Sequence, residues 1–284
     1  MHRTNVLGVG ISATEPRSAL DQVVEWIETG QMQYVCVCAV HTVMACQHDS
    51  ELRDMVNSAA LAVPDGMPLV WISHLAGQPT VRRVYGPDLM LAFCALAARN
   101  GYRNYLLGGA QGQPEILAEK LVARFPGLNI SGLRATPARP IPEAENEAII
   151  QDINRANPDV VWVGLGTGFQ ERWMAINRPR LTAPVLIGVG AAFDMHSGWV
   201  PQAPKWMQNA GLEWLFRLSR EPQRLWRRYL VGNSLFVLKY CGQHWGLLHY
   251  SMNGNGHGSM ADVFPVSEEI APPFLNLSRP ESKI

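Results

Sequence analysis

Asp65 lies in the stretch AVPDGMPLVW, residues 62–71, where Pro64, Asp65 and Gly66 interrupt an apolar run. The apolar residues before it predict a strand, which places the carboxylate at the carboxyl edge of a parallel sheet. A general base needs such a position, and positioned proton transfer typically supplies about 10²–10⁴ in rate. Asp-Gly is also one of the commonest turn pairs, so the local sequence leaves a purely structural role open.

A glycine loop, GLGTGFQERW at residues 164–173, ends one predicted strand and opens a predicted helix. The free backbone N–H groups around Gly164 and Gly166, together with the positive end of the helix dipole, suit a pyrophosphate. Gln170 and Glu171 fall in the first helical turn, where they would face the bound group. The spacing differs from G-x-G-x-x-G, and glycines that only permit a tight turn are the alternative.

Arginines recur at three- and four-residue steps in one late segment: Arg217, Arg220, Arg224, Arg227 and Arg228. Much of their charge falls on one helical side, and leucines and aromatic residues supply an apolar counterpart. Such a segment suits an anionic bilayer surface. It also suits a pyrophosphate, because the guanidinium fork matches phosphate oxygens. A solvated helix face packed on the domain is the third interpretation.

Composition excludes several classes of protein. Twenty-four Lys and Arg residues balance twenty-four Asp and Glu residues among the 284, so we expect no nucleic-acid partner. The five cysteines are odd in number and contain no C-x-x-C pair, which favours a reducing cytoplasm. No window of about eighteen apolar residues predicts a membrane-spanning helix.

Metal ligands do not occur at ligating spacings. The histidines show no H-x-x-x-H or H-E-x-x-H spacing, and no D-x-D triplet is present. The G-x-S-x-G elbow of Ser/His/Asp hydrolases is missing as well. We therefore expect a site that uses neither a metal ion nor a cofactor.

The elements that must position these residues follow a βαβ pattern. Residues 33–40, QYVCVCAV, form an apolar run typical of a strand buried on both faces. Residues 104–132 predict strand, glycine loop, helix and strand, and residues 148–194 predict helix, strand, glycine loop, helix and strand. The pattern predicts an α/β fold: a Rossmann-like parallel sheet with flanking helices, whose glycine loops lie at the carboxyl ends of the strands.

Two further predictions are local. Residues 43–60 have helical periodicity, and Asp49 is placed to cap the second half of that segment. The apolar run from Val6 to Ile11 is too short and too rich in glycine for a secretory signal, and it predicts a strand.

We divide the chain by composition. Residues 1–195 predict the α/β core, in two parts that meet at about residue 100. Residues 196–245, called the appendage below, are basic and helical and hold five of the nine tryptophans. Residues 246–284, which include NGNGHG, predict a flexible tail.

Six ordered motifs resemble those of the WecG/TagA/CpsF family of bacterial glycosyltransferases over roughly residues 30–230. They are DSELRDMVNSAALAVPDGMPLVW, GPDL, LLGG, NPDVVWVGLGTGFQERW, GVGAAFD and GLEWLFRLSREPQRLWRRY. The resemblance implies inverting, metal-independent transfer of a sugar from a UDP donor to a polyprenyl-diphosphate-linked sugar. It implies a peripheral location on the cytoplasmic face of the plasma membrane. The segments PDGMPLVW and EPQRLWRRYL favour the exopolysaccharide members of the family, including glucosyltransferases of xanthan-like polymers, with UDP-glucose or UDP-N-acetylmannosamine(-uronate) as donor.

The resemblance also implies an acceptor and catalytic part at about residues 1–100, a nucleotide-sugar part at about 101–195, and roles for single residues. Asp65 matches the aspartate of the P-D-G motif, the general base, which would take the proton from the acceptor hydroxyl. Gln170 matches a donor-site glutamine, and Asp194 matches the F-D motif of the nucleotide pocket. Three arginines match those of the C-terminal appendage, which close over the site and neutralise the leaving UDP: Arg217, Arg224 and Arg227.

The chain departs from the family pattern at several positions. Val37 and Ala39 stand where the family often has Thr and Asn that contact the bound sugar. Gly168 and Phe169 replace a proline and a polar residue before Q-E, and Gln202 replaces an arginine.

Three hypotheses follow. The first is a glycosyltransferase of exopolysaccharide or cell-surface glycan assembly. The second, motivated by Val37 and Ala39, is a non-catalytic UDP-sugar-binding or scaffold member of the same fold. The third is a nucleotide-cofactor oxidoreductase, which fits poorly because Asp194 comes later than the ribose-binding acid of that class. Whether the chain forms a homo-oligomer is left open.

Overall fold

The structure is a computed structural model that describes residues 1–136 and 140–252. Its centre is a parallel sheet of six strands in the order β4-β3-β8-β7-β5-β6, and β1 and β2 form a separate antiparallel pair. The strands are β1 (Arg3–Val6), β2 (Val9–Ser12), β3 (Gln33–Cys38), β4 (Leu61–Pro64), β5 (Arg103–Gly108), β6 (Asn129–Arg134), β7 (Val160–Gly164) and β8 (Val185–Gly188). The predicted α/β class and parallel sheet are confirmed.

Helices cover both faces of the sheet, as the near-continuous apolar strands require. The helices are α1 (Pro16–Thr29), α2 (Val40–His48), α3 (Ser50–Ser58), α4 (Met67–Leu75), α5 (Gly86–Asn100), α6 (Gln113–Arg124), α7 (Glu143–Ala156), α8 (Phe169–Asn177), α9 (Ala192–Ser197), α10 (Lys205–Asn209), α11 (Glu213–Arg220), α12 (Pro222–Trp226) and α13 (Gly232–His244). One core layer joins the sheet to α2, α3, α4, α7, α8 and α13. The other joins it to α1, α5, α6 and α9.

Asp49 separates α2 from α3 as the sequence predicts. Its Oδ1 accepts a hydrogen bond from the Leu52 backbone N–H at 2.9 Å, so it is the N-cap of α3. The cap divides the periodic segment into two helices and turns the chain back towards β4.

The single strand predicted from Val6 to Ile11 is wrong. The segment is the turn of a hairpin, in which Val6 ends β1 and Val9 begins β2. Leu7 and Gly8 have φ angles of 52° and 82°, which is the positive-φ pair that a two-residue hairpin turn requires. Val6 and Val9, which flank the turn, are both apolar, so the apolar run alone did not show the reversal.

Residues 246–252 fall within the predicted tail, yet they contact the N-terminal hairpin and α3. The side-chain amide of Asn5 donates to the Tyr250 backbone oxygen at 2.7 Å, and that of Asn57 donates to the Met252 oxygen at 2.9 Å. The remainder of the predicted tail lies outside the described residues. Of the helices described, none is long and apolar enough to cross a membrane.

Candidate active site

Asp65 immediately follows β4 at the carboxyl edge of the sheet. Its backbone N–H donates to the Cys38 carbonyl oxygen at 2.7 Å, which continues the pairing of β4 with β3 past the end of the strand. Gly66 is the N-cap of α4, and Pro68 occupies the first helical turn. The proline and glycine around Asp65 therefore end the strand and start the helix, and leave the carboxylate between them.

The Asp65 carboxylate has few direct partners. Oδ1 accepts a long hydrogen bond of 3.3 Å from the Gly86 backbone N–H and lies 3.7 Å from Nη2 of Arg83. The side chain is 22% exposed. Burial raises the pKa of Asp65 to about 6, with Arg83 lowering it and Glu213 raising it. A carboxylate with this pKa is ionised at neutral pH and is a stronger base than an ordinary aspartate.

Arg83, Tyr85 and Glu213 form a cluster beside this carboxylate. Arg83 donates through Nη2 to Glu213 Oε2 at 2.5 Å, and its Nε donates to the Asp65 backbone oxygen. The Tyr85 hydroxyl donates to Glu213 Oε1 at 2.9 Å, and the Arg83 guanidinium lies 4.1 Å from the centre of the Tyr85 ring. No local sequence pattern indicates these three residues as part of the site, because Glu213 is remote from the other two in the chain.

A cleft of about 110 Å³ opens above Asp65. Its walls come from the starts of α2 and α4, from α10 and α11, and from the π-helical turn Arg227–Val231. The appendage therefore forms one side of the cleft. Arg217 and Arg228 both line it, and the Nε atom of each is buried with no hydrogen-bond partner in the described part of the chain.

His41 also lines the cleft, at the start of α2. Its Nε2 lies 2.6 Å from the Thr167 hydroxyl of the glycine loop after β7. Burial holds the pKa of His41 well below its ordinary value, and Arg228 and Arg217 lower it further. The sequence does not indicate this contact. His41 belongs to no metal-ligand spacing, and nothing local indicates its partner.

The glycine loop has the predicted position after β7. Gly166 and Gly168 have φ angles of 83° and 87°. Glu171 is fully buried, and its Oε2 accepts from the Gly168 backbone N–H at 2.6 Å while Oε1 accepts from the Gln170 amide at 3.0 Å. Glu171 thus caps the start of α8 and does not point into the cleft.

Gln170 and Gly164 lie deeper at the same edge. The Oε1 atom of Gln170 is buried, has no hydrogen-bond partner among the described residues and lies close to Gly190 of the loop after β8. At Gly164, an added Cβ would lie 2.7 Å from the Phe193 ring, and one at Gly108 would lie 2.6 Å from the Gly164 backbone. These glycines allow close packing between β5, β7 and α9.

Asp194 joins two loops of the sheet edge. Its Oδ1 accepts a hydrogen bond of 2.7 Å from the Gln113 amide, whose own oxygen accepts from the Ala110 backbone N–H at 3.0 Å. The contact connects the loop after β5 to α9. Asp194 is therefore at the sheet edge with one carboxylate oxygen already engaged, and it is not among the residues that line the cleft.

The three arginines that the resemblance assigns to the site do not lie together. Arg217 lies in the cleft with Asp65, whereas Arg224 pairs with Glu221 at 2.5 Å and is 49% exposed. The guanidinium of Arg227 lies 5.3 Å from the centre of the Trp226 ring, and its side chain is exposed. Arg228, which the family motif did not single out, is the second appendage arginine of the cleft, which Arg83 also lines.

The residues that depart from the family pattern lie in different places. Ala39 lines the cleft, whereas Val37 packs against the core layer that contains α5. The Gln202 amide lies 3.6 Å from the Met195 sulfur. Ala39 is thus the substitution that changes the wall next to Asp65.

A larger surface hollow of about 510 Å³ lies at the opposite end of β3, around Tyr34 and Arg178. The Arg178 guanidinium donates to the backbone oxygens of Leu181 and Ala183 at 2.6 Å each, so it stabilises the chain before β8. The hollow contains none of the predicted site residues, and we place the active site at Asp65.

A parallel α/β sheet with a raised-pKa carboxylate and three arginines in one cleft suits a group transfer with an anionic leaving group. Residues 4–249 match the model of the glycosyl transferase WecG/TagA/CpsF family. The chain therefore belongs to this family of glycosyltransferases. This confirms the resemblance seen in the motifs and removes the oxidoreductase hypothesis.

One curated relative is similar over most of its length. The chain is 29% identical over 229 residues to the N-acetylglucosaminyldiphosphoundecaprenol N-acetyl-beta-D-mannosaminyltransferase of Bacillus subtilis (strain 168). The aligned part covers 78% of this chain and 87% of the relative.

Proposed function

We propose that this glycosyltransferase moves a sugar, with inversion, from a UDP-sugar to a polyprenyl-diphosphate-linked sugar, and that Asp65 is its general base. The observation that carries the proposal is the cleft that holds Asp65 together with Arg217 and Arg228. The Bacillus relative is named for transfer of N-acetylmannosamine to an N-acetylglucosaminyl-diphosphate lipid. We therefore put UDP-N-acetylmannosamine first among the donors and UDP-glucose second.

The reaction needs one proton transfer and one displacement. Asp65 takes the proton from the acceptor hydroxyl as its oxygen forms a bond to the anomeric carbon of the donor. The bond between that carbon and the UDP oxygen breaks, and UDP leaves with the electron pair. The pKa of about 6 supports this role, because Asp65 is then ionised at neutral pH and near the optimum for a base.

Two arginines are suited to stabilise the leaving diphosphate. The Nε atoms of Arg217 and Arg228 are buried and without partners in the described residues, so phosphate oxygens would satisfy them. Burial lowers the pKa of Arg228 to about 10, which still leaves it charged at neutral pH. We propose that these guanidinium groups supply the positive charge that a divalent cation provides in other transferases. Gln170, with its free buried Oε1, belongs to the donor side.

The appendage supports a peripheral location on the cytoplasmic membrane face, where a lipid-linked acceptor is held. Large apolar side chains are exposed along its last helices: Trp226, Leu230, Val231, Val237, Leu238 and Trp245. Arg224 and Arg227 are exposed beside them. An apolar surface flanked by arginines fits the interface of an anionic bilayer. We place the enzyme in exopolysaccharide or cell-surface glycan assembly.

The test is UDP release by the purified protein with liposomes. The donors are UDP-N-acetylmannosamine, UDP-glucose, UDP-N-acetylglucosamine and UDP-uronic acids, each with polyprenyl-diphosphate-glucose and polyprenyl-diphosphate-N-acetylglucosamine as acceptors. We expect release with one pair, at least 10²-fold slower in Asp65→Asn with UDP affinity retained. Unchanged turnover in that variant would refute the general-base role.

The alternative is a non-catalytic UDP-sugar-binding member of the family. Ala39 favours it, because an alanine in the cleft wall provides no polar contact for a sugar. UDP binding without release from any pair would support this alternative. Gain of activity in Ala39→Asn would then identify the missing contact, with Val37→Thr as the comparison inside the core.

A further inference from the structure

Glu213, the first residue of α11, reaches from the appendage to the catalytic edge of the sheet. Arg83 lies between it and Asp65. The distance from Arg83 Nη2 is 2.5 Å to Glu213 Oε2 but 3.7 Å to Asp65 Oδ1. The guanidinium is thus paired with the appendage carboxylate and only near the carboxylate of the base.

The other contacts hold this arrangement in place. Tyr85 donates its hydroxyl to the second oxygen of Glu213, and its ring lies under the Arg83 guanidinium. Arg83 uses Nε to donate to the Asp65 backbone oxygen, so it fixes the peptide of the base without a close pair to the carboxylate. The side chains of Arg83 and Glu213 are each 15% exposed, so water screens their pair only weakly.

We propose that Glu213 is a positioning residue for the general base: it holds Arg83 away from Asp65 and leaves the Asp65 carboxylate free to accept a proton. The inference rests on the proposed function, since it takes Asp65 as the base. An arginine in close contact typically lowers the pKa of an aspartate by about 1–3 units. Without Glu213, Arg83 would pair with Asp65 and weaken it as a base.

Other charged and titratable groups also face Asp65. Cys38 approaches from the end of β3, and Arg217 approaches from α11. His41 and Arg228 line the same cleft. Glu213 is the carboxylate among these neighbours, and its negative charge raises the pKa of Asp65. Its replacement by glutamine therefore makes the electrostatic potential at Asp65 more positive. Loss of its negative charge and the approach of Arg83 both lower the pKa of Asp65.

The experiment is the pH dependence of kcat/KM for UDP release in the wild type and in Glu213→Gln, which keeps the shape of the side chain. A base must be ionised, so kcat/KM falls below the pKa of Asp65, near pH 6 in the wild type. We expect the acid limb of Glu213→Gln to lie about one unit lower, with a lower plateau. Glu143→Gln, which removes a surface carboxylate paired with Arg180, is the matched control and should leave the limb in place.

A direct titration and a second variant test the same inference if Glu213→Gln is inactive or does not fold. If Glu213→Gln has no turnover, a ¹³C titration of the Asp65 carboxyl, assigned by its loss in Asp65→Asn, measures the same shift directly. If the variant does not fold, Tyr85→Phe loosens Glu213 and should shift the limb in the same direction by less. An unchanged limb and carboxyl titration would overturn the inference while leaving the base role intact. Retained turnover in Asp65→Asn would instead overturn the proposed function.

Discussion

The imidazole Nε2 of His41 lies 2.6 Å from the hydroxyl of Thr167, which joins the start of α2 to the glycine loop after β7. Both residues sit beyond the carboxyl ends of their strands, at the edge that also carries Asp65. Arg217 and Arg228 share the cleft with His41. The contact therefore connects the predicted donor loop to the cationic wall, and a neutral imidazole is compatible with that wall.

We expect His41 to stay neutral throughout the working pH range. Burial, Arg228 and Arg217 each lower the pKa of His41 in the folded protein, so the unfolded chain binds more protons as the pH falls. The stability that the neutral imidazole provides is present above about pH 6.5 and declines below it. Proton NMR of the imidazole C2–H, assigned by its loss in His41→Asn, should show a midpoint well below the ordinary histidine value. A midpoint at the ordinary histidine value would contradict this electrostatic account.

Asp65→Asn should stabilise the fold at neutral pH while it removes activity. The pKa of Asp65 is raised from 3.8 to about 6, so ionisation above that range costs the folded state up to about 3 kcal/mol. The unfolded chain ionises near its ordinary value, so stability declines as the pH rises from about 4 to 6 and stays lower above. Urea unfolding at about pH 7.5 and about pH 4 should show a gain for the variant only at the higher pH. An equal difference at both pH values would mean that the charge is not its cause.

Replacement of the appendage arginines should lower kcat/KM more for those that line the cleft than for those at the surface. Removal of one preorganised donor to a developing charge costs about 10²–10³ in kcat in other enzymes. We expect losses of at least about 10-fold in kcat/KM for Arg217→Gln and Arg228→Gln, whose Nε atoms are buried in the cleft. Arg224→Gln is the matched control, because its guanidinium pairs with Glu221 at the surface. A larger loss in Arg224→Gln than in Arg228→Gln, measured with saturating liposomes, would argue against the cleft as the diphosphate site.

The different positions of these arginines show which features of the site could be predicted from the sequence. Strand ends, the position of Asp65 and the Asp49 cap are local, because apolar runs, turn residues and caps act over a few positions. The face of a helix depends on its periodicity, and the π-helical turn Arg227–Val231 changes that periodicity. Three- and four-residue spacing therefore did not single out Arg228. The pairing of Glu213 with Arg83 depends on how the appendage packs on the core, which no local pattern encodes.

Apolar residues at the end of the appendage should control liposome binding without affecting the nucleotide site. Leu230 and Leu238 are 51% and 68% exposed, and burial of a leucine side chain contributes about 1.5–3 kcal/mol. We expect Leu230→Ser and Leu238→Ser each to weaken association with anionic liposomes by about 10-fold, and UDP affinity to stay at the wild-type value. Val122→Ser, at a valine 42% exposed on α6, is the control with an apolar loss elsewhere on the surface. Co-sedimentation measures the first quantity and calorimetric titration with UDP the second. Wild-type sedimentation of both leucine variants would mean that this face does not contact the bilayer.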